Sequence, residues 1–162
     1  MRLDGSGRFL FNVVARAIDG CCAQSNEQEI AGLRSDVEVI TDTWGIPHIF
    51  AENRHDLFFA QGYITARDRF FQMDFGRHGA SGRICELVGK RKIPWRDLTV
   101  QLKDRTTYDV DVMVRTFGMR ECAKQALGLH SEESQSILQS YADGVNAYLA
   151  QGHKPLEHKI LG

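Results

Sequence analysis

The sequence predicts an α+β chain, mostly helical, with one short β-hairpin. Three observations carry that prediction. Residues 37–41 and 46–51 read as two short strands around a turn. Residues 54–76 carry a helix-period apolar face of unusual width. Residues 131–149 form a second well-capped helical pattern.

The hairpin comes first. Val37-Glu38-Val39-Ile40-Thr41 alternates apolar and polar positions and is rich in β-branched residues, as a half-buried strand requires. Asp42-Thr43-Trp44-Gly45 supplies turn chemistry. Pro47 lacks an N–H for a ladder, so the second run belongs at a sheet edge or begins there.

The long helix follows. Asn53 suits an N-cap, and Asp56 puts a carboxylate in the first turn. Phe59, Tyr63, Ala66, Phe70 and Met73 form one apolar row, with Ala60, Ile64, Phe71 and Phe75 beside it. Together they make a face wider than a surface helix needs. Gly76 and Gly79 weaken the helix and place its end nearby. Arg67 and Asp74 project into the apolar side by helical angle, so each is expected to meet a partner elsewhere in the fold.

Residues 90–108 are charged and aperiodic and read as a loop. Beyond them, Val110, Val114, Phe117 and Leu127 continue as a helix stripe. In the last helix Ser131 is the cap, Glu132 and Glu133 suit the N-terminal dipole, and Ile137, Leu138, Tyr141, Val145, Tyr148 and Leu149 line one side. Gly152 and Pro155 stop it.

Residues 1–28 read as a leader. Met1–Arg8 carries two arginines and Phe9–Ala15 is a short apolar run, the outline of a secretory signal. Asp4, Arg16 and Asp19 interrupt that outline and make it a poor one. The domain reading is a leader over 1–28 and one truncated segment over 29–162.

Composition narrows the function classes. The chain has 162 residues, 43% apolar and 25% charged, with a net charge of −1. That suits a globular domain and leaves no basic footprint for nucleic acid or a membrane surface. No stretch approaches the roughly 18 apolar residues of a membrane-spanning helix. Cys21, Cys22, Cys85 and Cys122 match no zinc or redox spacing. Cys85 and Cys122 sit among apolar neighbours and are expected as buried free thiols.

Catalytic signatures are sparse. His153 and His158 read as a solvated pair rather than a metal site. Gly79-Ala80-Ser81-Gly82 approaches a nucleophile elbow, but Arg83 stands where the second glycine of G-x-S-x-G belongs, and no strand precedes it. Ser81 is therefore expected as a helix-end turn residue.

Three ordered blocks say more. The first is Val37 to Ile49, with Asp42-Thr43-Trp44-Gly45-Ile46-Pro47-His48 at its centre. The second runs from Asp56 through Asp68-Arg69-Phe70-Phe71-Gln72-Met73 into Arg77-His78-Gly79-Ala80-Ser81-Gly82-Arg83 and Glu86-Leu87-Val88-Gly89. The third is Tyr141-Ala142-Asp143-Gly144-Val145-Asn146-Ala147-Tyr148-Leu149. In this order they resemble the start of the α-chain region of the penicillin acylase family of N-terminal-nucleophile amidohydrolases. The resemblance covers about residues 33–162. Thr41 departs from the arginine usual before Asp42, Arg67 from a glutamine, and Thr65 from a frequent histidine. Residues 90–108 look like an insertion.

The resemblance implies an αββα fold of which this chain supplies helices and a hairpin. It implies a precursor cut into two chains, with a β-chain N-terminal Ser as nucleophile and that residue's own amine as base. The substrates implied are linear amides: acyl side chains of β-lactams, acyl-homoserine lactones or similar. The implied partner is a β chain or downstream remainder, and the implied location periplasmic or secreted. The family's nucleophile, oxyanion donors and calcium ligands lie beyond Gly162, so no catalytic, cofactor-binding or metal residue is carried over onto this chain. The expectation is an N-terminal segment inactive by itself. The alternative is a non-catalytic scaffold or interaction module derived from the family.

Overall fold

A computed structural model describes residues 6–13, 24–92, 105–152 and 155–161. The described residues are mostly helical. In chain order they form β1 (Ser6–Val13), β2 (Gln24–Ala31), β3 (Val37–Thr41), β4 (Pro47–Ala51), α1 (Arg54–Ala80), α2 (Ile84–Val88), α3 (Thr107–Phe117), α4 (Met119–Leu127), α5 (Glu132–Ala150) and α6 (Leu156–Leu161). They divide into two compact units. One holds Met1–Asp68 and Ser131–His153, the other Arg69–His130 and Lys154–Gly162. The division falls inside α1, at Arg69, whose φ of −143° and ψ of 28° are not helical.

In the first unit the expected hairpin is present. β3 and β4 pair antiparallel, with Val39 opposite Ile49, and Pro47 opens the edge strand. The turn is built by Asp42, whose Oδ1 accepts from the N–H groups of Trp44 at 2.9 Å and Ile46 at 2.8 Å. Gly45 completes it at φ +79°, a conformation that penalises a Cβ.

The sheet is larger than the hairpin. Its order is β2-β1-β3-β4, with β1 parallel to β3 and antiparallel to β2. Thus β1 and the start of β2 lie within 1–28, where the sequence reading placed a leader. The apolar run 9–13 suits a strand as well as it suits a signal, because short apolar runs carry no period that tells the two apart.

Ile30, Leu33, Val37, Val39, Phe59, Ala60, Tyr63 and Ile64 form the core of this unit, with Ile49, Ala51, Ala147 and Tyr148 packed against it. Asn53 caps α1 as expected. Its Oδ1 accepts from Asp56 N–H at 2.9 Å.

Helix α5 is capped by Ser131, whose side chain accepts from Ser134 N–H. It meets α1 through glycines. A Cβ on Gly62 would overlap the Tyr141 carbonyl, and one on Gly144 would overlap the Phe59 carbonyl. Arg54 and Glu133 form an exposed ion pair between the first turns of these helices.

The second unit is built differently. Phe70, Phe71, Met73 and Phe75, on the later turns of α1, are half-buried. Thr106 caps α3 with a full capping box closed by Asp109. The predicted stripe from Val110 to Leu127 does not run through. Gly118 adopts φ +66° and ends α3, and α4 starts at the next residue. Val114 of that stripe is buried, whereas Phe117 and Leu127 are exposed.

Residues 93–104, most of the predicted loop 90–108, lie outside the described residues. Its two ends are joined by a bridge between Lys92 and Thr106 and by Thr107 N–H donating to the Arg91 carbonyl at 2.9 Å.

Among its described residues, Val114, at 9% exposure, is the one buried apolar side chain of this unit. Tyr108, Val112, Met113, Phe117, Met119, Leu127, Leu129, Leu156 and Ile160 are exposed. Each large apolar side chain left in water forgoes roughly 1.5–3 kcal/mol of burial. This unit therefore lacks a core of its own comparable to that of the first.

Candidate functional site

Polar residues buried beside apolar ones mark where a fold invests in specific chemistry. In the second unit they centre on Asp74. Its Oδ1 accepts from Arg77 Nη2 at 2.6 Å and Nε at 3.1 Å. Its Oδ2 meets His158 Nε2 at 3.0 Å. His78, also buried, has Nδ1 at 2.8 Å from the Asp74 carbonyl oxygen, and its Nε2 lies 4.0 Å from Glu86. Glu86 in turn accepts from Arg83 Nε at 2.8 Å. The network joins α1, α2 and α6.

Burial opposes the charge on Asp74, but the hydrogen bonds from Arg77 and His158 and the nearby His78 outweigh it, so its carboxyl sits below the usual range. The Arg83 hydrogen bond likewise holds the Glu86 carboxyl low.

One sequence expectation is met here and another corrected. Asp74 meets a distant partner, 84 residues on, as its helical position required. Arg67 is exposed, and its Nε donates to the neighbouring Asp68 at 2.7 Å. His158 is not half of a solvated pair. It is three-quarters buried, stacked on Phe70 at 5.7 Å and edge-on to Phe71 at 5.5 Å. His153 lies outside the described residues.

An open groove of about 310 Å³ adjoins this network, lined by Ser81, Arg83, Glu86, Arg115 and the first turn of α4. Ser81 occupies a helix-end turn, as expected, and its Oγ donates to the Arg77 carbonyl at 2.8 Å. Arg115 Nε donates to the Gly82 carbonyl at 2.7 Å. A Cβ at Gly82 would crowd the Asp111 carbonyl and the Arg115 side chain, and its φ is +65°, so glycine is required twice over.

The thiols differ from expectation too. Cys85 is half-buried and Cys122 exposed, while Cys21 and Cys22 lie outside the described residues. Burial pushes the Cys85 thiol up, against a hydrogen bond to Thr107, which keeps it a poor nucleophile. Cys122 escapes burial because the helix that carries it is exposed throughout.

Two further buried carboxylates hold backbone N–H groups distant in sequence, and sequence reading assigned a role to only one of them. Asp56, noted as a first-turn acid, is fully buried. It accepts from Arg34 N–H at 3.0 Å, Ser35 N–H at 2.8 Å and Asn53 Nδ2 at 2.7 Å, and its Oδ1 lies 2.9 Å from His55 Nδ1. Burial works against its charge, but these bonds prevail and lower its pKa. Asp111 accepts from Ile84 N–H at 2.8 Å and Cys85 N–H at 2.9 Å. It thereby caps α2 from α3. Its signal was an acid at a position where α3 turns inward, legible only once α3 is known to be a helix. Among the described residues no group of three or more His, Cys, Asp or Glu side chains could hold a metal ion.

The sequence model of the penicillin amidase family matches residues 36–162. The chain belongs to the penicillin amidase family. Penicillin acylase 2 proenzyme of Pseudomonas sp. (strain SE83) is 34% identical over 139 residues, covering 85% of this chain and 16% of that protein. Penicillin G acylase of Escherichia coli is 33% identical over 115 residues, covering 71% and 12%. Acyl-homoserine lactone acylase QuiP of Pseudomonas aeruginosa is 33% identical over 134 residues, covering 83% and 14%. This penicillin amidase family chain thus spans only 12–16% of the length of these relatives.

The solved structure of thermostable penicillin G acylase from Alcaligenes faecalis superposes with a TM-score of 0.61 at 30% identity, over 77% of this chain and 61% of that one. The helices and sheet described above are therefore part of the αββα N-terminal-nucleophile hydrolase fold of the penicillin amidase family.

Proposed function

We propose that this chain is the N-terminal segment of an amidohydrolase that cleaves linear amides, its substrates acyl side chains of β-lactams, acyl-homoserine lactones or similar. The reaction is then completed by polypeptide outside this chain, which supplies the nucleophile. The observation that carries the reading is the ordered family match over residues 36–162, shared with relatives named both as penicillin acylases and as acyl-homoserine lactone acylases.

The geometry of the candidate site fits a supporting role. Acyl transfer needs a nucleophile, a base within hydrogen-bond reach and donors for an oxyanion. The Ser81 hydroxyl is engaged with a helix carbonyl. The buried carboxylates of Asp56, Asp74 and Asp111 each hold backbone or side-chain donors of the scaffold.

The test assays the 162-residue chain alone, and again co-expressed with the polypeptide encoded downstream, on chromogenic phenylacetyl, glutaryl and long-chain acyl amides. Activity is expected with the downstream polypeptide and absent without it. Turnover by the chain alone that disappears with Ser81→Ala would overturn the reading.

A further inference from the structure

Helix α4 carries an apolar face with nothing described upon it. Met119, Cys122, Ala123, Ala126 and Leu127 recur at i, i+3, i+4, i+7 and i+8, one stripe of an amphipathic helix. Arg120, Glu121, Lys124 and Gln125 take the opposite side, where Lys124 pairs with Glu121 at 2.8 Å. Every residue of α4 is exposed, Met119 by 52% and Leu127 by 47%. Phe117, 65% exposed at the end of α3, lies just before it. A helix patterned this way ordinarily turns its stripe into a core.

We propose that the α4 stripe is the face on which the polypeptide completing the amidohydrolase docks, an occupant that presents an apolar helix or strand face. The inference rests on the function proposed above. Two observations select this occupant over a second copy of the chain. The first is length: the chain spans 12–16% of its relatives and 61% of the superposed solved chain, so most of the polypeptide that accompanies this segment in relatives lies outside it.

The second is area. A nine-residue helix is about 14 Å long and offers on the order of 200–300 Å² on one face, far below the roughly 800 Å² per partner of a stable independent interface. Such a stripe suits one patch of a large interface within a single assembly. Ala123 and Ala126 at its middle allow close approach of the occupant's backbone.

Cys122 lies within the stripe and reports on it. In the 162-residue chain alone, Cys122 is expected to react rapidly with a maleimide, read by peptide mass spectrometry, with half-buried Cys85 as internal reference. In the complex with the downstream polypeptide, labelling of Cys122 should slow at least tenfold. Ala123→Glu combined with Leu127→Lys should weaken capture of that polypeptide at least tenfold, whereas Gln125→Glu on the opposite side should not. These side chains are exposed, so helicity by circular dichroism should stay unchanged, and the labelling result on the wild-type chain is independent of any folding defect.

An active complex in which Cys122 labels at the free rate and the double variant binds normally would overturn the docking face while leaving the proposed function standing. Failure of any downstream polypeptide to bind and confer activity would overturn both. Protection of Cys122 by concentration-dependent dimerisation of the chain alone would assign the face to a second copy and overturn this proposal.

Discussion

Gly62 on α1 and Gly144 on α5 make reciprocal contacts, each lying against the backbone of the other's helix. The Tyr141 carbonyl occupies the place of a Gly62 Cβ, and the Phe59 carbonyl that of a Gly144 Cβ. Two backbones approach here to a distance that no other residue permits. Phe59 and Tyr63, on either side of Gly62, are buried as a result.

That relationship reverses the usual sign of a glycine-to-alanine change. In an exposed helix interior alanine gains roughly 0.5–1 kcal/mol. At Gly62 and Gly144 overpacking is expected to cost about 1–3 kcal/mol or more, since the clash is with backbone. Gly76, on α1 with nothing within 4 Å of its Cβ position, should show the ordinary gain. Urea denaturation of the three single variants checks this. Equal effects at all three positions would disprove the crossing.

Asp56 predicts a pH dependence. Its carboxyl is held below the usual range when folded and returns to about 3.9 on unfolding. Its contribution is therefore fully present above about pH 3.9 and lost as pH falls through the lower folded value. Asp56→Asn should cost roughly 3 kcal/mol at neutral pH, because buried N–H groups of Arg34 and Ser35 lose a charged acceptor. The gap between wild type and variant should narrow in acid. A gap that is constant down to pH 2.5 would count against a charged Asp56.

The contact of Asp74 with His158 makes α6 dependent on one carboxylate. His158→Ala removes the Nε2 contact and the stacking on Phe70 together, and is expected to release residues 155–161 to proteolysis. Asp74→Asn, which keeps the size but not the charge, should do so less. Limited proteolysis with mass mapping distinguishes them; unchanged cleavage in both variants would refute the role given to His158.

Gly45 offers a local test. Its φ of +79° with no atom within 4 Å of a Cβ means that strain alone, not crowding, opposes substitution. Gly45→Val should cost about 1–2 kcal/mol, and Gly45→Asn distinctly less, because asparagine tolerates the left-handed region. Equal melting temperatures for the two variants would show that the turn has rearranged.

What the sequence determined by itself was local. The Asx turn at Asp42, the caps Asn53 and Ser131, the edge position of Pro47 and the α5 helix are set by residues within a few positions of one another, and their chemistry is legible without a fold. The family is legible for a related reason: three blocks in order over more than a hundred residues carry information that no single spacing does.

Tertiary structure decided the rest, because it depends on partners far apart in the chain. Helical angle placed Asp74 on the apolar side, but only the arrival of His158, 84 residues on, completed the buried network around it. Gly62 and Gly144 take their role only where the two helices meet, which no local pattern around either residue specifies. The apolar run 9–15 reads as part of a leader, whereas residues 9–13 pair with β3 as a strand, a pairing with residues 37–41 that local composition does not show. Continuous helix from Val110 to Leu127 was the natural reading of the apolar period. The left-handed turn at Gly118 broke it and left α4 with a stripe that no described residue covers, since a period specifies a face but not what that face packs against.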